Sequence, residues 1–168
     1  MTVTVSYLVM YAPEQLRPRY PDDPQLQIQP VHPPRWQFNQ SMYRRIGADW
    51  YWQEKRDWHE SQWRAYVEAP GLHSFAASYA GEPAGYFELR QDPHGGIEIA
   101  YFGLLADFIG KGLGGAMLSR ALQHAWALGP ERVWVHTCTL DHPAALANYE
   151  ARGMRIYRTG TETVSGND

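Results

Sequence analysis

From residue 72 to residue 105 apolar and polar side chains alternate along the chain, and from residue 112 the alternation gives way to the longer period of a helix. Residues 72–79, 84–90 and 96–105, separated by Gly81-Glu82-Pro83 and by Asp92-Pro93-His94-Gly95, read as three strands of an antiparallel meander. Met117, Leu118, Ala121, Leu122 and Ala125 form one face of a helix over 112–128, stopped by Gly129-Pro130, and a β-rich run over 132–140 follows. Strand, helix and strand in that order imply a parallel pair joined by a crossover helix. A meander that feeds such a crossover predicts an α/β (α+β) fold, a mixed central sheet flanked by helices.

The rest of the chain adds elements to that core. Residues 2–10 are rich in β-branched and aromatic side chains and read as an N-terminal strand. Pro13, Pro18, Pro21 and Pro24 then lie too close together for helix or central strand, which predicts an extended surface excursion. Residues 25–31 return as a short strand, and Phe38, Met42 and Ile46 give residues 36–46 a helical stripe that ends at Gly47. After an aromatic connector over 48–56, Asp57 followed by Glu60 reads as a capping-box start for a second helix carrying Trp63, Tyr66 and Val67. A helix over 142–152, with Pro143 in its first turn, and a strand over 154–159 complete the pattern. With roughly 100 to 200 residues expected per domain, the 168 residues make a single domain. It divides into an N-terminal strand and excursion (1–24), a core (25–160) and a frayed tail (161–168).

Charge and cysteine content narrow the function. The chain has 15 Lys+Arg against 18 Asp+Glu, a net charge of −3, and no basic run longer than Arg44-Arg45. It lacks the electrostatic footprint of a duplex nucleic-acid binder. Cys138 is the only cysteine, which excludes an intrachain disulfide and a multi-cysteine zinc site and fits a reducing compartment. No stretch reads as a signal peptide or a membrane span, so a cytoplasmic protein is expected, and no His/Cys/carboxylate spacing supports a metal site. Five of the 7 tryptophans, Trp36, Trp50, Trp52, Trp58 and Trp63, crowd into one stretch.

Ile109-Gly110-Lys111-Gly112-Leu113-Gly114-Gly115 stands between a predicted strand and a predicted helix. Glycines there let a ligand approach the backbone, and the first N–H groups of the helix favour an anion. The spacing of Gly110, Gly112 and Gly115 matches a dinucleotide fingerprint, but three antiparallel strands precede it and the next strand ends in Cys138-Thr139-Leu140, without the acidic residue that motif requires. No Gly-Lys-Ser/Thr follows, so a Walker A loop is also absent.

The run from Leu104 through Gly114, followed by a helix, resembles the acetyl-coenzyme A loop of the GNAT superfamily of N-acetyltransferases, whose signature is Gln/Arg-x-x-Gly-x-Gly/Ala. Downstream, Asp141-His142-Pro143-Ala144-Ala145-Leu146-Ala147-Asn148-Tyr149-Glu150-Ala151-Arg152-Gly153-Met154 resembles the family's Asn-x-x-Ala-x-x-x-Tyr-x-x-x-Gly-Phe helix. Ile109, Asp141 and Met154 depart from the usual residues, and the N-terminal strand is an addition to the family core. The resemblance implies a single-domain GNAT-type acyltransferase fold and acetyl-coenzyme A (acetyl-CoA) as co-substrate. Its phosphates would lie on the amides of Ile109, Gly110, Lys111, Gly112, Leu113, Gly114 and Gly115, with the Lys111 cation beside them. Its pantetheine arm would lie along Phe102, Gly103, Leu104 and Leu105, where Gly103 permits a bulge, and against Asn148 and Tyr149. A backbone N–H near Leu104 would polarise the acyl carbonyl, and Trp50, Tyr51 and Trp52 would form a wall of the acceptor site.

Acetyl transfer to a protonated amine needs a base and benefits from an acid. Tyr149 matches the family's tyrosine and is the candidate acid. Glu98 and Glu88 are candidate bases, with His136 and His73 as alternatives, while Cys138 reads as a small strand residue. A loop over 91–95 would set Arg90 against Gly96 and Glu88 opposite Glu98, so that repulsion between the two carboxylates raises the pKa of one. The expected reaction is transfer of an acetyl group to a small-molecule or peptide amine, with no nucleic-acid or membrane partner and with the oligomeric state, a homodimer included, left open. The rivals are a non-catalytic acyl-CoA sensor and, against the low basic content, an aminoacyl-transferase drawing on tRNA.

Overall fold

Val3, Val5, Leu8 and Met10 are buried along the first strand, β1 (Thr2–Met10), and they mark it as an interior strand. In the computed structural model, which describes residues 1–164, β1 lies between the last two strands of the sheet. The other elements, in chain order, are β2 (Leu26–Pro30), α1 (Trp36–Gly47), α2 (Glu60–Val67), β3 (Leu72–Tyr79), β4 (Glu82–Gln91), β5 (Gly96–Leu104), α3 (Leu113–Ala127), β6 (Arg132–Cys138), α4 (Ala145–Ala151) and β7 (Arg155–Thr163). One seven-stranded sheet runs β2-β3-β4-β5-β6-β1-β7. Every pair is antiparallel except β5–β6, joined by the crossover helix α3.

The two sheet faces carry different cores. Ala116, Met117, Leu118, Ala121, Leu122 and Ala125 of α3, with Tyr149 of α4, pack on Leu8, Phe87, Leu89, Ile97, Ile99, Val133 and Val135. On the opposite face Met42 and Ile46 of α1 meet Tyr86 and Leu105, and Tyr43 meets Trp63 and Val67 of α2. The predicted mixed sheet flanked by helices is therefore present, and most of the clustered tryptophans serve to seat α1 and α2.

Several local expectations are corrected. β7 continues to Thr163, with Thr2 opposite Thr163 and Thr4 opposite Thr161, so residues 161–163 are paired strand rather than frayed tail. β7 is an exposed edge strand, so it lacks the apolar alternation that would announce it. Residues 165–168 of that expected tail lie outside the described residues. α2 starts at Glu60, not Asp57: the His59 N–H donates to Gln62 Oε1 at 2.9 Å and closes its first turn. α4 starts at Ala145 rather than at 142, because Asp141 turns back to accept hydrogen bonds from the Thr137 hydroxyl and the Cys138 N–H instead of opening the helix.

The most consequential correction is the β4–β5 register. Asp92 Oδ1 accepts from the N–H groups of His94 (2.7 Å) and Gly96 (3.0 Å), and the Asp92 N–H donates to the Gly96 carbonyl at 2.9 Å. Pro93, His94 and Gly95, the last at φ 82°, make the turn. Arg90 consequently faces Glu98, and Glu88 faces Tyr101 rather than Glu98. A register shift between Glu88 and Leu89 leaves Ala100 as the extra residue of a β-bulge, which puts the bulge at Ala100 and not at Gly103.

Gly103 is required for another reason. A Cβ there would fall 2.6 Å from Ile46 Cγ2 and 3.3 Å from Trp52 Cη2, so its absence lets α1 and the aromatic connector close on β5. Gly103→Ala should therefore lower the unfolding free energy by about 1–3 kcal/mol. Urea denaturation measures it, and an unchanged midpoint would mean that Ile46 yields without cost.

Candidate active site

β5 and β6 pair only from Gly96/Arg132 to Glu98/Trp134, although β5 runs on to Leu104 and β6 to Cys138. They part where β5 is bulged, since a bulge bends its strand and increases its twist. A cavity of about 970 Å³ occupies the opening, and it reaches from the glycine loop at the start of α3 to Glu98 and His136. The β6-facing edge of β5 from Ile99 onward is left without a strand partner.

At the loop end, Gly110 (φ 83°) and Gly112 (φ 76°) adopt the left-handed backbone that glycine alone tolerates freely. Gly112 is the N-cap of α3, which presents that helix's first N–H groups without a side chain in front. Ile109, Gly110, Gly112, Leu113, Gly114 and Gly115 all line the cavity. So do Phe102, Gly103 and Leu104 on β5 and Asn148 and Tyr149 on α4. Leu105 and Lys111 do not: the Leu105 N–H donates to the Ala84 carbonyl and its side chain is buried under α1, while the Lys111 ammonium lies 5.5 Å from the centre of the Phe108 ring. The positive charge beside the loop comes instead from Arg19 and Arg152, both lining the cavity. A phosphate-bearing cofactor fits this end, where the cradle is open and Nε and Nη1 of Arg152 are buried without an acceptor.

Tyr149 is 7% exposed, and its ring stands edge-on to Phe102 with centroids 6.4 Å apart. Burial, with a smaller contribution from Asp141, pushes its phenol well above the ordinary range and keeps it protonated at neutral pH.

At the other end, Glu98 is buried and held on both sides. Arg90 Nη2 donates to Glu98 Oε2 at 2.5 Å, and His136 Nδ1 lies 3.4 Å from Glu98 Oε1. Burial alone would raise the Glu98 carboxyl, but His136 and Arg90 outweigh it and hold the group below the usual carboxylate range. His136 moves oppositely: the bond to Glu98 raises its pKa against the effect of burial. Its side chain is 45% exposed and faces the cavity. His73 sits on β3, outside the cavity lining.

Glu88 shares this sheet face but not the cavity. It is 1% exposed, accepting from Asn39 Nδ2 at 2.8 Å and from the Tyr66 hydroxyl at 2.5 Å. Burial is what raises its pKa, and the Tyr66 and Asn39 donors oppose the shift. Beside it Lys55 Nζ lies 4.7–4.8 Å from the ring centres of Trp58, Tyr66 and Tyr101 and donates to the Tyr101 hydroxyl at 3.0 Å. Burial lowers the Lys55 pKa, with Glu54 opposing. Trp50, Tyr51 and Trp52 line the cavity, although Trp52 also packs on Tyr43, Tyr86 and Tyr101. No local pattern marks Asn39, Lys55, Tyr101, Arg19 or Arg152, since each meets a neighbour distant in the chain.

The sequence model of the acetyltransferase (GNAT) family matches residues 37–154. The sequence matches no curated protein. A GCN5-related N-acetyltransferase from Sphaerobacter thermophilus is similar in fold (TM-score 0.69, 15% identity), covering 94% of this chain and 50% of its own. One from Kribbella flavida gives a TM-score of 0.66 at 19% identity, over 94% of this chain and 56% of its own. An aminoglycoside acetyltransferase from an uncultured soil metagenomic sample gives 0.59 at 19% identity, over 85% of this chain and 96% of its own. The chain spans 50–63% of the length of the first four solved structures it resembles.

The Glu88 network makes a stability prediction. A raised folded-state pKa means that Glu88 contributes most at low pH and that this contribution is lost as pH rises. Tyr66→Phe removes a donor to the ionised form, so it should cost about 1–3 kcal/mol at pH 7 and less at pH 5. Urea denaturation at both pH values measures this, and equal losses would show that the hydroxyl does not support the carboxylate.

Proposed function

The chain belongs to the acetyltransferase (GNAT) family, and from that membership we propose that it transfers the acetyl group of acetyl-CoA to an amine by direct attack in a ternary complex. One observation carries the reading: a single cavity between the parted strands has the glycine cradle at one end and the Glu98–His136 pair at the other.

Bound acetyl-CoA supplies the acetyl thioester. The amides at the start of α3 hold its phosphates, and the unpartnered edge of β5 from Phe102 to Leu104 offers backbone groups to its pantetheine arm. A backbone N–H near Leu104 polarises the acyl carbonyl. His136, kept beside Glu98, takes a proton from the incoming ammonium directly or through water. The amine nitrogen then bonds to the acyl carbon and the carbon–sulfur bond breaks; the Tyr149 hydroxyl gives its proton to the departing thiolate and is restored, through water, by the second proton that the nitrogen sheds as it becomes the amide. Glu98 acts as a positioning residue that orients His136 and raises its basicity. Glu88 serves to tie α1 and α2 to β4.

The acceptor end favours a cationic small molecule. Glu54, Glu98, Asp141 and Glu162 line the cavity with Trp50 and Tyr51. Two structural neighbours are aminoglycoside acetyltransferases, and aminoglycosides carry several amines. Thiol release from acetyl-CoA across an amine panel tests the proposal, and tight binding without turnover would establish a sensor instead.

Two variants test the proton path. His136→Asn should lower kcat by about 10²–10⁴. Because the Glu98 charge raises the His136 pKa, Glu98→Gln should move the acidic limb of the kcat/KM profile to lower pH, and a stationary limb would remove His136 as the base. Tyr149→Phe should reduce kcat while leaving the CoA dissociation constant within about threefold. Unaltered turnover would return Tyr149 to packing.

A further inference from the structure

The segment between β1 and β2 lies outside residues 37–154 and is laid as a strap across two helices. The Arg17 N–H donates to the Arg152 carbonyl at the end of α4 (2.8 Å), and the Arg19 N–H donates to Ser119 Oγ on α3 (2.9 Å). Arg120 of α3 clasps the far end of the strap, donating to the Asp22 carboxylate and to the Leu26 carbonyl. These contacts deliver the Arg19 side chain to the first turn of α3. An added Cβ on Gly112 would meet Arg19 Nη2 at 3.0 Å, and one on Gly115 would meet Arg152 Nη1 and Arg19 Cδ, each at 2.9 Å.

Two guanidinium groups therefore share one turn of one helix, at its positive end. Among the described residues neither forms an ion pair. Nε and Nη1 of Arg152 are buried without an acceptor. Burial and then the charge of Arg19 lower the Arg152 pKa, the sign of two cations held together. Buried donors without acceptors and like charges in proximity both cost free energy. An anion between them removes both costs, and the planar guanidinium suits phosphate oxygens.

We propose that Arg19 and Arg152 form a phosphate clamp over the glycine loop, with the N-terminal strap supplying one jaw and the end of α4 the other. The clamp rests on the proposed function for the identity of its ligand, a phosphate of the ADP portion of CoA. It fills the role that Lys111 leaves open by lying over Phe108. It also gives the strap a function: the backbone amides of the loop bind phosphate through polar N–H groups, and the strap adds a second full charge beside that of Arg152.

The test is titration calorimetry of Arg19→Ala and Arg152→Ala with CoA and with 3′-dephospho-CoA, and NMR titration with pantetheine, which has no phosphate. Each variant should weaken CoA by about ten- to a hundredfold and leave pantetheine unchanged, with Arg19→Lys recovering part of the loss. A loss that persists with 3′-dephospho-CoA places the clamp on the pyrophosphate, and one that disappears places it on the 3′-phosphate. Without ligand, removing one of two repelling cations should leave the melting temperature of Arg19→Ala equal or higher, where a structural arginine would lower it. Unchanged CoA affinity in folded variants, or an equal loss for pantetheine, overturns the clamp alone. A wild-type protein that binds no CoA overturns the proposed function and the clamp together.

Discussion

Parallel pairing between β5 and β6 lasts for three residue pairs and then stops, and the cavity of the molecule depends on that interruption. A continuous ladder would consume the backbone groups of β5 and close the cavity. The bulge at Ala100 bends β5 at the point of parting. The same bulge turns Tyr101 to the face that already carries Glu88, Arg90 and Glu98, because one extra residue reverses the alternation beyond it. Backbone irregularity and the choice of side chains at this end of the cavity are thus one structural event.

The polar groups gathered on that face fall into two sets. Glu88, Asn39 and Tyr66 are sealed beneath α1 and α2, with Ser74 accepting from Asn39 as well. Their hydrogen bonds offset the cost of burying a carboxyl between two helices and a sheet. Glu98, Arg90 and His136 open onto the cavity, and there the pairings shift pKa values in opposite directions. Glu98 is kept ionised and His136 is made more basic. The two glutamates, alike in sequence pattern, are separated in role by a turn residue, Asp92, that decides which strand position each one faces.

The N-terminal region joins the sheet and the glycine loop at the start of α3. β1 fills the gap between β6 and β7 with six partners on one side and eight on the other. The strap that leaves it then crosses α4 and α3. A region outside the span of the family match is in this way built into both the hydrophobic interior and the rim of the glycine loop.

Local pattern was enough to read much of this protein. The meander, the crossover helix, the glycine loop and the tyrosine-bearing helix follow from periodicity and from where glycine and proline interrupt it, because neighbours within a few residues decide them. Those elements also made the family resemblance legible. The sequence could not disclose which carboxylate faces the cavity, where β5 bulges, that residues 161–163 pair with β1, or that Arg19 reaches Gly112. Each of those depends on a partner far along the chain. A register offset of two residues leaves the alternation of faces untouched while changing every cross-strand neighbour, and only the assembled sheet decides it.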